Sequence, residues 1–580
     1  MKPIKYFILP FIALCATAFV SSCSDDPKDG DAPRLFRPVA SLETSNNNII
    51  ASWDNIKGAT TYTLTLYQVT GTDDNGDNIY TPIRTVTCNE SPYRFDNLTW
   101  DEKYKVDISC VGETKSSLTY TTSDVSLSYP TTLKAVKTIE NAARVSWEVD
   151  KEEQKIYAIK VVDAAGNEIV NTISPSQYLT GYIDIMGLEP TTKYTFYAYS
   201  DSEVYDNSTY AGKLTGTTTK VIDFDTEYGA GKWIDIRDFD EKMAKDTLKT
   251  SDFWSLVGDG YTVILRGDFD YKVNNEVILD RSVRFVTAST LGSNARFVSS
   301  GGMSISQDID WVEFIDVDFI SDKALPDGGN EIEKNTDKGF GGRQVINLNG
   351  VASSIKKLSF KGCTIQGYRA FLRTQQDYDG FNEVLIENCV INGIGDQGVF
   401  TSTNKLGDWH KITMRNTTVT NIVMLCDFRQ TAHMDDASIP ALTMNIENCT
   451  FCYAPMETTA NANTPLFRLG DNEVTLNVSK TLFGPSMFTG GSGSSVTTYK
   501  AGEAGSIFVN GTAFGANVSK SFKTNFKWTE VGANLTTYPL DGLNELSMDE
   551  TELWSKPSKG EFRIMGNIGE DGVGDARWNN

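Results

Sequence analysis

The sequence predicts an all-β chain in which two sandwich units precede a long stack of parallel strand coils. Three observations predict it. Short alternating strands, such as 49–53 and 61–67, are separated by Asn-, Gly- and Asp-rich turns. A unit of about ninety residues occurs twice in succession near the N-terminus. Farther on, one short pattern of alternating residues ending in a turn residue and a small inward side chain recurs at variable spacing.

The chain opens with Lys2 and Lys5 and an apolar stretch from Tyr6 to Val20 broken by Pro10. That stretch is too short to span a bilayer comfortably and reads as a signal peptide over 1–22. It ends in Val20-Ser21-Ser22-Cys23, which resembles the lipobox of bacterial lipoproteins. The resemblance implies that Cys23 is acylated and becomes the N-terminus, anchoring the protein to the outer membrane. Ser24-Asp25-Asp26 resembles the acidic tag that sends Bacteroidetes-type lipoproteins to the cell surface. No later segment is long and apolar enough to cross a membrane.

The 580 residues suggest roughly three or four domains. A formal net charge of −23 argues against nucleic acid and anionic lipid as partners, and an acidic glycan would need a local basic patch. The nine cysteines include Cys15 and Cys23, and the others lack CxxC or metal-ligand spacing. Cys88 and Cys110 share a domain, but their inward strand positions predict free, buried thiols.

After a linker over 23–34, the units 35–128 and 129–221 share an early-strand tryptophan, Trp53 and Trp147. They also share Leu98-Thr99-Trp100-Asp101-Glu102-Lys103-Tyr104 and Leu188-Glu189-Pro190-Thr191-Thr192-Lys193-Tyr194. Leu-x5-Tyr followed by alternating residues matches a tyrosine corner. The pair resembles fibronectin type III domains, which implies spacers or weak binding modules.

From about Ile222 the texture changes. Trp254 to Leu265 resembles the opening of pectate-lyase-like β-helices, a helix followed by a first strand. The repeats are Leu358-Ser-Phe-Lys-Gly-Cys363, Val384-Leu-Ile-Glu-Asn-Cys389, Ile412-Thr-Met-Arg-Asn-Thr417 and Met444-Asn-Ile-Glu-Asn-Cys449. Period two places Phe360, Ile386, Met414 and Ile446 inside, and Cys363, Cys389, Thr417 and Cys449 inside again beyond the corner. Gly362, Asn388, Asn416 and Asn448 occupy the corner, where left-handed backbone suits glycine and asparagine. Val317, Thr481 and Thr512 extend the register, for about seven coils. Lys361, Glu387, Arg415 and Glu447 alternate in sign on the outside and read as a solvated charge ladder. The expected architecture is therefore two fibronectin type III-like sandwiches, a right-handed parallel β-helix over 222–514, and a C-terminal cap over 515–580. A polar, Gly-rich insertion runs from about Ser321 to Arg343 and flanks a groove or is disordered.

A third segment aligns across coils as Phe371-Leu-Arg373, Val399-Phe-Thr401, Asp427-Phe-Arg429 and Leu466-Phe-Arg468, so that arginine recurs at one outward position. In pectate-lyase-like helices this region is commonly the glycan groove. Arg373, Thr401, Asp427, Arg429 and Arg468 are the candidate binding residues, since the planar guanidinium fork takes a uronate carboxylate bidentately. The competing reading is pairing with the local acids Asp377, Asp379, Asp396, Asp427, Asp435 and Asp436. Those acids are also the candidates for a Ca²⁺ site in a lyase, with Arg373 or Arg429 as base, but no catalytic signature of such enzymes is present. His410 and His433 are the only histidines, and His410 with Trp409 reads as a surface loop pair rather than a sugar-stacking platform.

The whole resembles Bacteroidetes surface lipoproteins associated with pectin-utilisation systems. The resemblance implies a non-catalytic binder of acidic plant polysaccharide beside outer-membrane glycan-transport components; it assigns no cofactor and leaves Ca²⁺ open. A polysaccharide lyase acting by β-elimination and a structural adhesin are the alternatives.

Overall fold

The computed structural model describes residues 34–579 apart from 74, 240–244, 274–276, 300, 323–342, 350–351, 403–404, 459–464, 491–497, 502–507, 527–536, 567 and 569–571. Cys23 and most of the 321–343 insertion therefore lie outside the described residues. No described helix is long and apolar enough to cross a membrane. The chain divides into two compact units, one ending at Thr219 and one beginning at Lys220.

In the first unit, strands Ala40–Ser45, Asn48–Trp53 and Tyr93–Phe95 form one antiparallel sheet, while Asn78–Cys88, Thr61–Thr72 and Glu102–Val111 anchor the other. The second copy repeats this: Leu133–Thr138, Ala142–Trp147 and Tyr182–Met186 against Glu168–Thr172, Ala158–Asp163, Lys193–Tyr199 and Tyr210–Thr217. This is the fibronectin type III strand order, three against four. Trp53 and Trp147 are buried in their respective cores, as large rings that close a two-sheet sandwich must be. The tyrosine corners are present in both copies: the Tyr104 hydroxyl donates to the Thr99 carbonyl at 2.9 Å, and the Tyr194 hydroxyl accepts from the Glu189 amide at 2.9 Å. Asp101, in this corner loop, accepts from the Tyr129 amide and the Tyr210 hydroxyl, and Lys213 pairs with Glu102 at 3.1 Å, so the two sandwiches share a polar joint. Cys88 and Cys110 are free thiols, the second buried and the first half-buried.

The second unit is a three-faced parallel β-helix. Its first face is a ten-stranded parallel sheet from Trp233–Asp235 to Phe514–Ser519, more coils than the sequence pattern alone counts. One inward column runs through it without interruption: Ile234, Val263, Phe285, Phe314, Phe360, Ile386, Met414, Ile446, Val478 and Val518. The helix Ser251–Leu256 precedes the strand Tyr261–Leu265, and Trp254 meets Phe285 edge-on at 6.3 Å.

The corner after this face is left-handed in the seven coils from Asp316 onward, with φ of 53° at Asp316, 66° at Gly362, 55° at Asn388, 49° at Asn416, 51° at Asn448, 47° at Lys480 and 48° at Lys520. The residue beyond it turns inward and caps the strand just left. The Cys389 and Cys449 thiols donate to the carbonyls of Glu387 and Glu447 at 3.2 and 3.3 Å, as the Thr417 and Thr481 hydroxyls do to Arg415 and Ser479 at 2.9 Å. Cysteine and threonine thus do one job here, which explains their interchange.

Thr512 does not belong to this register. Phe508–Gly511 pairs with Phe467–Gly470 on the third face, and the corner position is taken by Val518-Ser519-Lys520-Ser521. The coil stack continues past 514. Residues around Leu540 and Leu543 then pack on the end of the core. The helix Glu550–Leu553 and the strands Trp554–Lys556 and Glu561–Ile564 pack instead on the flank, against Cys452, Tyr453 and Leu482. The tail runs back along the coils, where Asp575 is wholly buried, accepts from Thr418 Oγ1 at 2.7 Å and pairs with Arg577 at 2.9 Å.

Candidate functional site

The third face carries the residues the sequence singles out. Strands Gln344–Leu348, Thr364–Thr374, Val390–Thr401, Cys426–Asp427 and Phe467–Gly470 stack in parallel, each inward residue (Ile346, Leu372, Phe400, Cys426, Phe467) directly over the last. Alternation then fixes the outward column as Asn347, Arg373, Thr401, Asp427 and Arg468. The sequence alignment of Arg429 with Arg373 is corrected: Asp427 holds that position, because Cys426 rather than Phe428 continues the inward column. Phe428 instead packs 5.0 Å from Trp409.

Arg429 lies two residues beyond and folds back, Nε and Nη2 donating to the two oxygens of Asp427 at 2.8 and 3.0 Å. Arg468 reaches the same carboxylate at 3.3 Å. The carboxylate is buried while both guanidiniums keep part of their surface exposed, 42% for Arg429 and 28% for Arg468. Two cations on one anion leave a surplus positive charge at this rung.

Arg373, two coils earlier, is half-buried, and with the Gln375 amide oxygen turned toward it the guanidinium donates at 2.9 and 3.2 Å. Burial and the neighbouring Arg369 charge hold its pKa below the ordinary arginine value. Arg369 itself pairs with Asp396 at 2.6 Å. At the N-terminal end of the face, a cleft of about 450 Å³ is lined by Ser304, Ser306, Arg343, Gln344, Asn347 and Asn349, among others. Sequence reasoning missed this cleft, whose strand follows directly on the long insertion.

The acids considered for calcium do not converge. Asp377 pairs with Lys405 at 3.7 Å, Asp435 accepts from the Tyr378 hydroxyl, and Asp436 accepts from the Ser438 amide at 2.9 Å. Asp379 is buried, which raises its pKa, and it accepts from the Gln376 amide at 2.9 Å and the Ser353 amide at 3.3 Å. Asp396 and Asp427 are held by arginine. Among the described residues no three His, Cys, Asp or Glu side chains come together as a metal site.

His410 bonds Asp408 at 2.8 Å, but Trp409 is not at the surface: it is buried between Phe381 and Phe428. The charge ladder on the first face pairs Arg415 with Glu387 at 2.6 Å, whereas Lys361 turns to Glu313 at 2.7 Å.

No family model and no curated protein matches the chain. Among solved structures, a two-domain fibronectin type III segment of chicken tenascin is similar at 16% identity over 32% of this chain and 99% of its own, with a TM-score of 0.14. The FN1–FN3 domains of chicken CNTN1 are similar at 16% identity over 33% and 69%, with a TM-score of 0.14.

Proposed function

We propose that this protein is a lipid-anchored, cell-surface binder of acidic plant polysaccharide, pectic and polygalacturonate-like, that serves a glycan-utilisation system without cleaving its ligand. The observation that carries the reading is the cluster on the third face where Arg429 and Arg468 share the buried carboxylate of Asp427, with Arg373 two rungs away in the same column, on a chain whose net charge is −23. A stacked column with surplus guanidinium suits an extended polyanion, since each arginine offers a planar donor fork to a carboxylate. Cys23 supplies the outer-membrane anchor in this reading, and glycan-transport components are its neighbours. The dispersal of the nearby acids onto separate partners supports binding over lyase chemistry, which would gather several oxygens at one point.

The test uses the soluble form beginning after Cys23 in affinity gels containing acidic glycans, polygalacturonate with calcium among them, while absorbance from unsaturated products is followed. Retardation without new absorbance, lost in an R373A/R429A/R468A variant that retains its circular dichroism, is expected. Rising absorbance would make the protein a lyase, and the absence of both signals with every acidic glycan would remove the proposal. Loss of fatty-acid labelling in Cys23→Ala checks the anchor.

A further inference from the structure

We infer that the first unit carries a second binding site, a pocket at the joint between the two sandwiches that takes a neutral sugar ring. All of its residues lie in the first unit, so the site does not depend on the third face.

The pocket measures about 410 Å³, within the range of small-molecule sites, roughly 300–1,000 Å³. Half-buried Trp100 and Tyr129 wall it beside buried Leu127, the two rings edge-on at 5.2 Å with planes 90° apart. Trp100 and Tyr129 are held through their backbone amides, which donate to Asn207 Oδ1 at 3.4 Å and Asp101 Oδ1 at 2.9 Å. Their indole N–H and phenol hydroxyl have no hydrogen-bond partner among the described residues, and neither do the exposed side chains of Thr44, Asn46 and Ser128 around them.

The walls are fixed before a ligand arrives, which lowers the cost of binding. Tyr129 meets Tyr210 edge-on at 5.5 Å, Asn207 donates to the Leu98 carbonyl at 2.9 Å, and Lys213 donates to the Asp101 carbonyl at 3.2 Å. The tyrosine corner itself does not require Trp100. The second sandwich has Pro190 at the same place, and its Tyr194 hydroxyl still accepts from the Glu189 amide at 2.9 Å.

A sugar presents C–H faces that cover an aromatic ring and hydroxyls that both donate and accept, as the amide and hydroxyls of the rim do. A carboxylate would find no cation: none of the described lining residues is charged, and Glu43 and Asp101 adjoin Thr44 and Trp100 in the sequence. A purely apolar ligand would leave the rim groups desolvated and unmatched.

The test titrates oligosaccharides of galactose, arabinose, xylose, mannose and glucose, with oligogalacturonate beside them, into the full chain beginning after Cys23, by calorimetry. At least one neutral oligosaccharide is expected to bind, and to bind R373A/R429A/R468A equally well. Trp100→Ala is expected to weaken it about ten-fold or more, the loss typical of truncating an aromatic anchor. Asn46→Gly is the second variant, since φ of 52° there suits glycine and the change removes the amide without disturbing the turn. A loss of about three-fold or more is expected from it, and it decides alone should Trp100→Ala unfold the chain. No binding of any neutral oligosaccharide would overturn the inference, as would binding that either folded variant leaves unchanged or that the arginine variant abolishes. Tighter binding of oligogalacturonate that Trp100→Ala weakens would also overturn it. The acidic-glycan reading of the third face is decided separately, by retardation in the acidic gels.

Discussion

Asp427 and Arg468 face each other on neighbouring strands, Nη1 of the arginine 3.3 Å from Oδ2 of the aspartate, while Arg429 spans both oxygens of the same carboxylate. The acid therefore positions two guanidiniums rather than merely cancelling them. Asp427→Ala makes the face more positive yet removes what holds its arginines, leaving two partly buried cations together. Retardation by acidic glycan is expected to weaken, and the β-helix to lose about 1–3 kcal/mol, the worth of charge-assisted bonds to a buried group. Stronger binding in the variant would mean that Asp427 acts only as an opposing charge.

The left-handed corner is tolerated unequally by its occupants. Asn416 and Asn448 suit it, whereas Lys480 at φ 47° gains nothing from its side chain to offset a conformation that costs about 1–2 kcal/mol for most residues. Lys480→Asn is expected to stabilise the β-helix by roughly 0.5–1 kcal/mol in thermal unfolding, and Asn448→Lys to cost at least as much. The latter also loses the bond from Asn448 to the Gly572 carbonyl.

This corner is where the fold was most legible, because a strict period of two broken by one Asn and followed by a small inward residue admits few other structures. Legibility failed where two registers satisfy the same pattern. Val509-Asn-Gly-Thr512 has the texture of Val478-Ser-Lys-Thr481, and only pairing shows that Val518 continues the column instead. Around Asp427, either Cys426 or Phe428 serves as the inward residue of a strand only two residues long, and the choice decides which of Asp427 and Arg429 joins the column. The cleft around Asn347 carried no signal at all, since amides and serines after a polar insertion look like more loop.

The corner cysteines behave as apolar caps with one weak donor. Burial pushes the Cys449 thiol up to about 12, so at neutral pH it stays protonated and bonded to the Glu447 carbonyl. Cys449→Thr is expected to change stability by less than about 1 kcal/mol, because Thr417 and Thr481 make the same bond one coil away on either side. Native protein should resist maleimide at Cys363, Cys389 and Cys449 and label only on unfolding. Rapid native labelling would show that these coils open.

Behind the outward column, Thr374 Oγ1, Ser402 Oγ and Trp409 Nε1 are buried without hydrogen-bond partners among the described residues. All three lie within 2.8 Å of where a Cβ on Gly407 would stand. Such a convergence of polar atoms suits one internal water, which needs two to four partners. Gly407→Ala would crowd all three groups and exclude that water, so a loss of about 1–3 kcal/mol and a changed Trp409 fluorescence are expected. A neutral substitution would show that the loop carrying Gly407 moves aside.

The last prediction concerns pH. Burial alone would raise the Glu313 carboxyl, but Lys361 at 2.7 Å and Arg284 outweigh it and hold its pKa below the ordinary glutamate value. The native state thus binds fewer protons there than the unfolded chain. The stability this contributes is present above the unfolded value of about 4.5 and is lost as pH falls through the native one. Glu313→Gln leaves Arg284 and Lys361 without their shared anion and is expected to cost about 1–3 kcal/mol at neutral pH. Below about pH 4.5 the gap between wild type and variant should close, because protonation removes the same charge from the wild type. Thermal unfolding at pH 7 and across pH 5 to 3 measures both; a gap that stays constant with pH would mean that the substitution acts through packing rather than through the charge.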